Sequence, residues 1–186
     1  MASNESPSKE VTIVLSTLKE IAEAVIHAAE AGTLRQVLQQ IAYVAKQLVQ
    51  ARYAALGIPG ERGTLKYFEV AGMTESEIKQ IAHPPVGRGL LGVIMHDREV
   101  LRLEHLSEHP RSIGFPEFHP YMDRFLGVPV QADVQLFGML YLTDRLDDLP
   151  FTLEDQWMVE SLAGYAALAI AGSQLSEQRE RLTLLE

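Results

Sequence analysis

Two stretches of this chain turn back on themselves. "YAALGI" (53–58) and "TLKYFEVAG" (64–72) flank the turn "PGERG" (59–63), and "FLGVPVQA" (125–132) runs almost directly into "QLFGMLYLTD" (135–144). Strands joined by so few residues pair antiparallel, because parallel neighbours need a crossover of a dozen or more residues. Helical patterns precede, separate and follow the two hairpins. That order predicts an α+β fold, an antiparallel sheet with helices layered against it.

The 186 residues leave room for one domain plus extra helix. Hydrophobic residues are 47% and charged residues 22%, enough apolar material for a sizeable core. The formal net charge of −9 repels phosphate backbones and anionic bilayers, so neither nucleic acid nor membrane is an expected partner. There is no run of 18 apolar residues and the first ten residues are polar. The reading is therefore no span, no secretion signal and a cytoplasmic location. Cysteine is absent, which excludes disulfides, thiolate metal sites, cysteine nucleophiles and thioether-linked chromophores.

Residues 1–8 read as a disordered start. Val11, Val14, Leu18, Ile21, Val25 and Ala28 then alternate spacings of three and four, the seam of a dimerisation helix over 9–32 that Gly32 stops. Thr33 and Gln36 form a capping box for a second helix, to about Gln50. Thr74 and Glu77 cap a short helix to about Ala82, and "GRGLLGVIMHD" (87–97) is a glycine-punctuated helix. "VLRL" (100–103) is another strand, and Thr152 with Asp155 opens a final helix. The globular domain is expected over 33–172, with a helical extension over 173–186. Leu168, Ala171, Leu175, Gln178, Leu182 and Leu185 repeat the three–four alternation. Together with the N-terminal seam they predict a parallel homodimer closed by a four-helix bundle.

Between the hairpins lies an irregular loop, 104–122, with one helical turn expected in it. A structureless loop of that length is usually functional or disordered. Phe115, Phe118, Tyr121 and Met122 make it too apolar to float in water, so it is expected to fold back as a wall. His105 and His109 are spaced as half a zinc site, but Pro110 follows at once and no base glutamate sits between them. Loop histidines bonded to backbone are the better reading. "GRGLLG" (87–92) has no dinucleotide-fold context, so close backbone packing is expected there. No nucleophile–base arrangement declares itself, and the chain is not read as an enzyme. His119 is different. Pro120 stiffens the backbone after it, and its neighbours are apolar, as a buried planar ligand requires. Alternation places Phe137, Met139 and Tyr141 on one face of their strand, so that an imidazole and a phenol could oppose each other across a cavity.

The stretch "HPRSIGFPEFHPYMDRFLGVPV" (109–130), followed by "FGMLYLTD" (137–144) and "PFTLEDQ" (150–156), resembles the GAF domain, specifically the heme-binding first GAF domain of DevS/DosT-type sensor histidine kinases. "ARYAALGI", "HPPVGRGLLG" and "LRLEHLSEHP" follow the same pattern. The resemblance spans about Leu38 to Gly172. It implies a GAF fold and a b-type heme whose proximal ligand is the histidine before the proline, His119. It implies that Tyr141 lies on the distal side, within hydrogen-bonding reach of a bound gas, and that Phe68 rests against the porphyrin. Met122, Phe115 and Leu91 complete the expected lining. Gly57 stands where some relatives carry an acidic side chain guarding the heme edge, which would leave that route more open here.

On that resemblance the chain is a sensor for O2, CO, NO or redox state, passing its signal through terminal helices to a kinase or other output domain. It would be either an excised sensor module or a small standalone protein. The alternative is a heme-free GAF module that dimerises or binds a small metabolite, with His119 structural.

Overall fold

The computed structural model describes residues 33–81, Pro85 and 88–184, together with Ser16, Lys19 and Glu23; the side chain of Glu177 is outside the description. The seam from Val11 to Ala28, the start at 1–8, Gly32, Ala82, Gly87 and Leu185 all lie outside the described residues.

Helix α1 (Leu34–Leu48) begins at the predicted capping box. Thr33 Oγ1 accepts from the Gln36 amide, and Gln36 Oε1 accepts from the Thr33 amide at 2.8 Å. The helix stops earlier than Gln50, because Gln50 turns into the left-handed region at φ 53° and β1 (Ala51–Pro59) starts at the next residue. After a short 3-10 turn come β2 (Leu65–Ala71) and α2 (Glu75–Gln80), the latter opened by the second predicted box at Thr74 and Glu77. Helix α3 (Gly89–Gly92) widens into a π-helical turn, Val93–Asp97, rather than running on as one regular helix. Strand β3 (Leu101–Leu103) leads into the long loop, whose one helical turn spans Leu106–Glu108. Strands β4 (Phe125–Ala132) and β5 (Gln135–Arg145) form the second hairpin. Helix α4 (Leu153–Thr183) opens on the third box, Thr152 with Asp155.

The five strands form one antiparallel sheet in the order β2-β1-β5-β4-β3. Helices α1 and α4 cover one face. Leu38, Ile41, Leu56, Leu126, Leu140, Leu142, Leu162 and Ile170 are fully buried in the core between them. Ala163, Ala166 and Ala167 on α4 belong to the same core, and their small side chains let the helix lie close to the sheet. A smaller apolar cluster fills the opposite face, where Leu90, Val93, Ile94 and Met95 pack with Leu101, Leu106, Phe125 and Met139. Gly127 lies under the π-helical turn, in a space that a Cβ would have to share with Ile94.

One strand face differs from the alternation read in the sequence. Val130 pairs with Gly138, and Gln131 pairs with Leu136, so Phe137 is an extra residue in β5. Such a bulge reverses the phase of everything before it. Phe137 therefore joins the helix-covered core, while Leu136 shares the opposite face with Met139 and Tyr141. No helix among the described residues is long and apolar enough to cross a membrane.

Candidate functional site

Tyr141 sits mid-strand on β5, opposite Ala55 of β1 and Gly127 of β4. Directly opposite residues share a face, so the neighbours on this side of the sheet are small. Phe68 on β2 pairs with Gly57, which pairs in turn with Met139. With only Ala55 and Gly57 between them, the rings of Phe68 and Tyr141 approach to 6.3 Å across the intervening strand. Phe125 stacks on the other side of Tyr141 at 5.6 Å. The result is an aromatic row, Phe68–Tyr141–Phe125. Leu91 is partly buried against the same cluster. A Cβ on Gly57 would come within 3.0 Å of the Met139 methyl and 3.5 Å of the Phe68 ring. The Tyr141 hydroxyl has no hydrogen-bond partner among the described residues. Burial pushes its pKa well above the usual value near 10, so it remains a neutral O–H donor across the physiological range.

The loop is fastened at both ends. At its exit the amides of Asp123 and Arg124 donate to the Asp144 carboxylate at 3.2 and 3.0 Å, and the Asp144 amide donates to the Arg124 carbonyl. At its entry the Leu106 amide donates to the Asp123 carbonyl at 2.7 Å, and His105 Nδ1 lies 2.9 Å from Asp123 Oδ2. Arg111 pairs with Asp97, and the Ile113 side chain lies against Gly89, where φ is +61° and a Cβ would come within 3.0 Å of Ile113 and 3.1 Å of the Arg111 carbonyl. Close backbone packing is thus what this glycine provides. His109 accepts from the Arg111 amide, a backbone bond as expected, whereas His105 pairs with a carboxylate instead.

The crest of the loop departs from the expected wall. Met122 is buried, but Phe118 is 74% and Tyr121 84% exposed, and Phe115 is also exposed. The reason is a turn. The His119 amide donates to the Pro116 carbonyl at 3.3 Å, which leaves Phe118 at the third position with φ +62°. That position favours glycine or asparagine, and a bulky residue there carries about 1 kcal/mol of strain or more. His119 is half-buried and stacks on Phe115 at 4.5 Å. Its Nδ1 lies 2.8 Å from the Pro120 carbonyl. A carbonyl oxygen only accepts, so this contact puts a proton on Nδ1, and in the neutral imidazole the lone pair is then on Nε2. Metal-binding histidines commonly have their tautomer set in this way.

The sequence-derived residues therefore fall into two groups. Phe68, Tyr141, Leu91 and Gly57 meet on the sheet face, while His119 and Phe115 stack on each other in the loop. Two clefts on the surface lie elsewhere, one beside Lys66 and Arg181 and the other along Arg102–Pro110 at the loop entry.

A family model described as GAF domain matches residues 31–171. The chain belongs to the GAF domain family. A GAF domain of an Acinetobacter phosphoenolpyruvate-protein phosphotransferase is similar at 19% identity and a TM-score of 0.70, covering 91% of this chain and 97% of that one. Free methionine-R-sulfoxide reductase from Neisseria meningitidis is 18% identical with a TM-score of 0.70, covering 94% and 98%. Both show the GAF fold and nothing narrower. The second GAF domain of DevS from Mycobacterium smegmatis is 25% identical with a TM-score of 0.56, covering 78% and 96%.

Phe125, Ile94 and Asp144 were not singled out by sequence reasoning. Phe125 and Ile94 read as ordinary core residues. Asp144 reads as a solvated strand end, because the amides it holds come from residues 123 and 124. The entry clasp of the GAF loop should titrate. Hydrogen bonding to Asp123 and its charge raise the His105 pKa above the ordinary 6.5. A raised value contributes stability that is complete below the unfolded pKa and is lost as pH rises through the folded one. Thermal melts from pH 6 upward should therefore show the wild type losing its stability advantage over His105→Gln. An advantage that grows with pH would contradict the clasp.

Proposed function

We propose that this GAF domain is a sensor module that binds heme b through His119 and reports a diatomic gas or the iron redox state. The observation that carries the reading is the bond from His119 Nδ1–H to the Pro120 carbonyl, which leaves Nε2 as the free ligand atom on a proline-stiffened turn. The row Phe68–Tyr141–Phe125 and the small residues Ala55, Gly57 and Gly127 give this face the apolar character a macrocycle needs, and to reach them it would displace the cluster around Leu90, Val93 and Ile94 that packs there. The unpartnered phenol of Tyr141 is a donor available to bound O2. When bound, the iron would supply the gas or redox chemistry, and the chain would supply the ligand, the apolar surroundings and the distal donor.

The module is also proposed to work as a homodimer. Leu153, Trp157, Leu168, Leu175 and Leu182 of α4 are exposed, and their spacing puts them on one stripe running the length of the helix. Gly164 and Gly172 lie within that stripe with open space where a Cβ would be. Ala171, expected in the stripe, is instead half-buried toward the core. A second copy placed about a two-fold axis presents the same stripe and would cover it. Such a pair would carry the signal to a kinase or other output domain.

Purified protein supplied with hemin should take up about one heme per chain, read from the Soret band, and His119→Ala should abolish or strongly weaken that uptake. An unchanged spectrum in that variant would remove His119 as the ligand. Tyr141→Phe should keep heme and destabilise bound O2 by about 1–3 kcal/mol, with a smaller effect on CO. Equal effects on both gases, read from dissociation rates, would argue against a phenol hydrogen bond. Light scattering should give about twice the 20.7 kDa chain mass, falling to monomer in Leu168→Glu with the sheet intact.

A further inference from the structure

We propose that Asp144 is a two-position joint that couples the loop of residues 104–124 to the first turn of α4, whichever ligand the loop takes. Asp144 is the penultimate residue of β5 and has φ 53°, a left-handed conformation uncommon for a residue other than glycine. Three hydrogen bonds hold it there: two from the loop-exit amides to its carboxylate, and one from its own amide to the Arg124 carbonyl. Remove the exit amides and the reason for the strained conformation goes with them. The ordinary strand conformation is then the alternative.

The neighbouring residue converts that change into a signal. Arg145 Nη1 donates to Asp155 Oδ2 at 2.7 Å, and the Arg145 side chain is mostly buried. Asp155 is itself only 6% exposed and is the capping-box residue of α4: it accepts from the Thr152 amide at 2.7 Å and donates its own amide to Thr152 Oγ1. A rotation of the backbone at residue 144 re-aims residue 145, because the direction of each side chain follows from the dihedrals before it. The carboxylate that caps α4 is thus held by a guanidinium that also donates to Asp147 at 3.0 and 2.6 Å, on a residue paired with Ala51, and the joint at 144 acts by shifting this Asp147–Arg145–Asp155 unit as a whole. A second support stays fixed. Arg102 on β3, ahead of the loop, donates to the Phe151 carbonyl and to Gln156 Oε1, both at 3.2 Å. The first turn of α4 is therefore held at two points, of which the Arg145 point moves with the loop. The clasp from His105 and Leu106 to Asp123 sets how firmly the exit amides stay on Asp144.

The test is hydrogen exchange by mass spectrometry on the full chain without added ligand, following 104–124 and 151–160. Emission from Trp157, the single tryptophan, is a second readout at the same turn. His105→Gln should speed exchange in the loop and, through Asp144, speed it in 151–160 by about fivefold or more. In an Arg145→Gln background the same substitution should leave 151–160 unmoved while still loosening the loop. Distant sites without coupling would give additive effects instead. Asp144→Asn, which keeps an acceptor and tolerates the left-handed conformation, should preserve the coupling, and Asp144→Ala should lose it. Equal increments in both backgrounds, a loosened loop with 151–160 unmoved, or a loop that His105→Gln does not loosen would each overturn the proposal. Should Asp144→Ala fail to fold, the His105–Arg145 cycle decides alone.

Discussion

The two long helices among the described residues pack on the same face of the sheet. Helices α1 and α4 occupy that side completely, with Leu38, Ile41, Leu162 and Ile170 fully buried against it. The aromatic row around Tyr141 lies on the other face. There the chain spends little helix: four residues of α3, one π-helical turn and a loop. Strands β1 and β4 answer with small side chains at Ala55, Gly57 and Gly127, which permit the close aromatic row around Tyr141 on β5. The larger apolar cluster and the aromatic row thus lie on opposite faces of the same strands.

The loop is built with a similar division. Its ends are tied by backbone hydrogen bonds to Asp144 and by the His105–Asp123 pair. Its crest has local bonds only, within Pro116–Pro120, plus the Phe115–His119 stack. A segment anchored at its base and only locally ordered at its tip can change shape there without disturbing the sheet. Strain at Phe118 lies in the tip and strain at Asp144 lies in the anchor, so each belongs to a different motion.

What the sequence disclosed and what it withheld follow from the range of the interactions concerned. All three capping boxes, at Thr33, Thr74 and Thr152, were legible because their partners lie three residues away. The hairpins were legible for the same reason, and they fixed the antiparallel sheet. Phe137 was misplaced because a bulge is a property of two strands together. The outward turn of Phe118 and Tyr121 was missed because composition says that apolar rings seek cover, whereas one left-handed residue decides where they point. At the candidate site, Phe68, Gly57, Leu91 and Tyr141 lie together on the sheet face, whereas His119 stacks on Phe115 in the loop, a grouping that alternation along one strand does not reach. The linkage through Asp144 and Arg145 was not legible either, since its partners come from other elements.

The exposed loop crest also governs how the chain behaves as a colloid. Ile113, Phe118 and Tyr121 present bare hydrocarbon on a chain whose net charge is −9. Long-range repulsion keeps such particles apart at low ionic strength, and salt shortens its reach to about 10 Å at 0.1 M. Once the charge is screened, adhesive contacts between crests are no longer opposed. Crest-to-crest association is therefore expected to strengthen as salt is added.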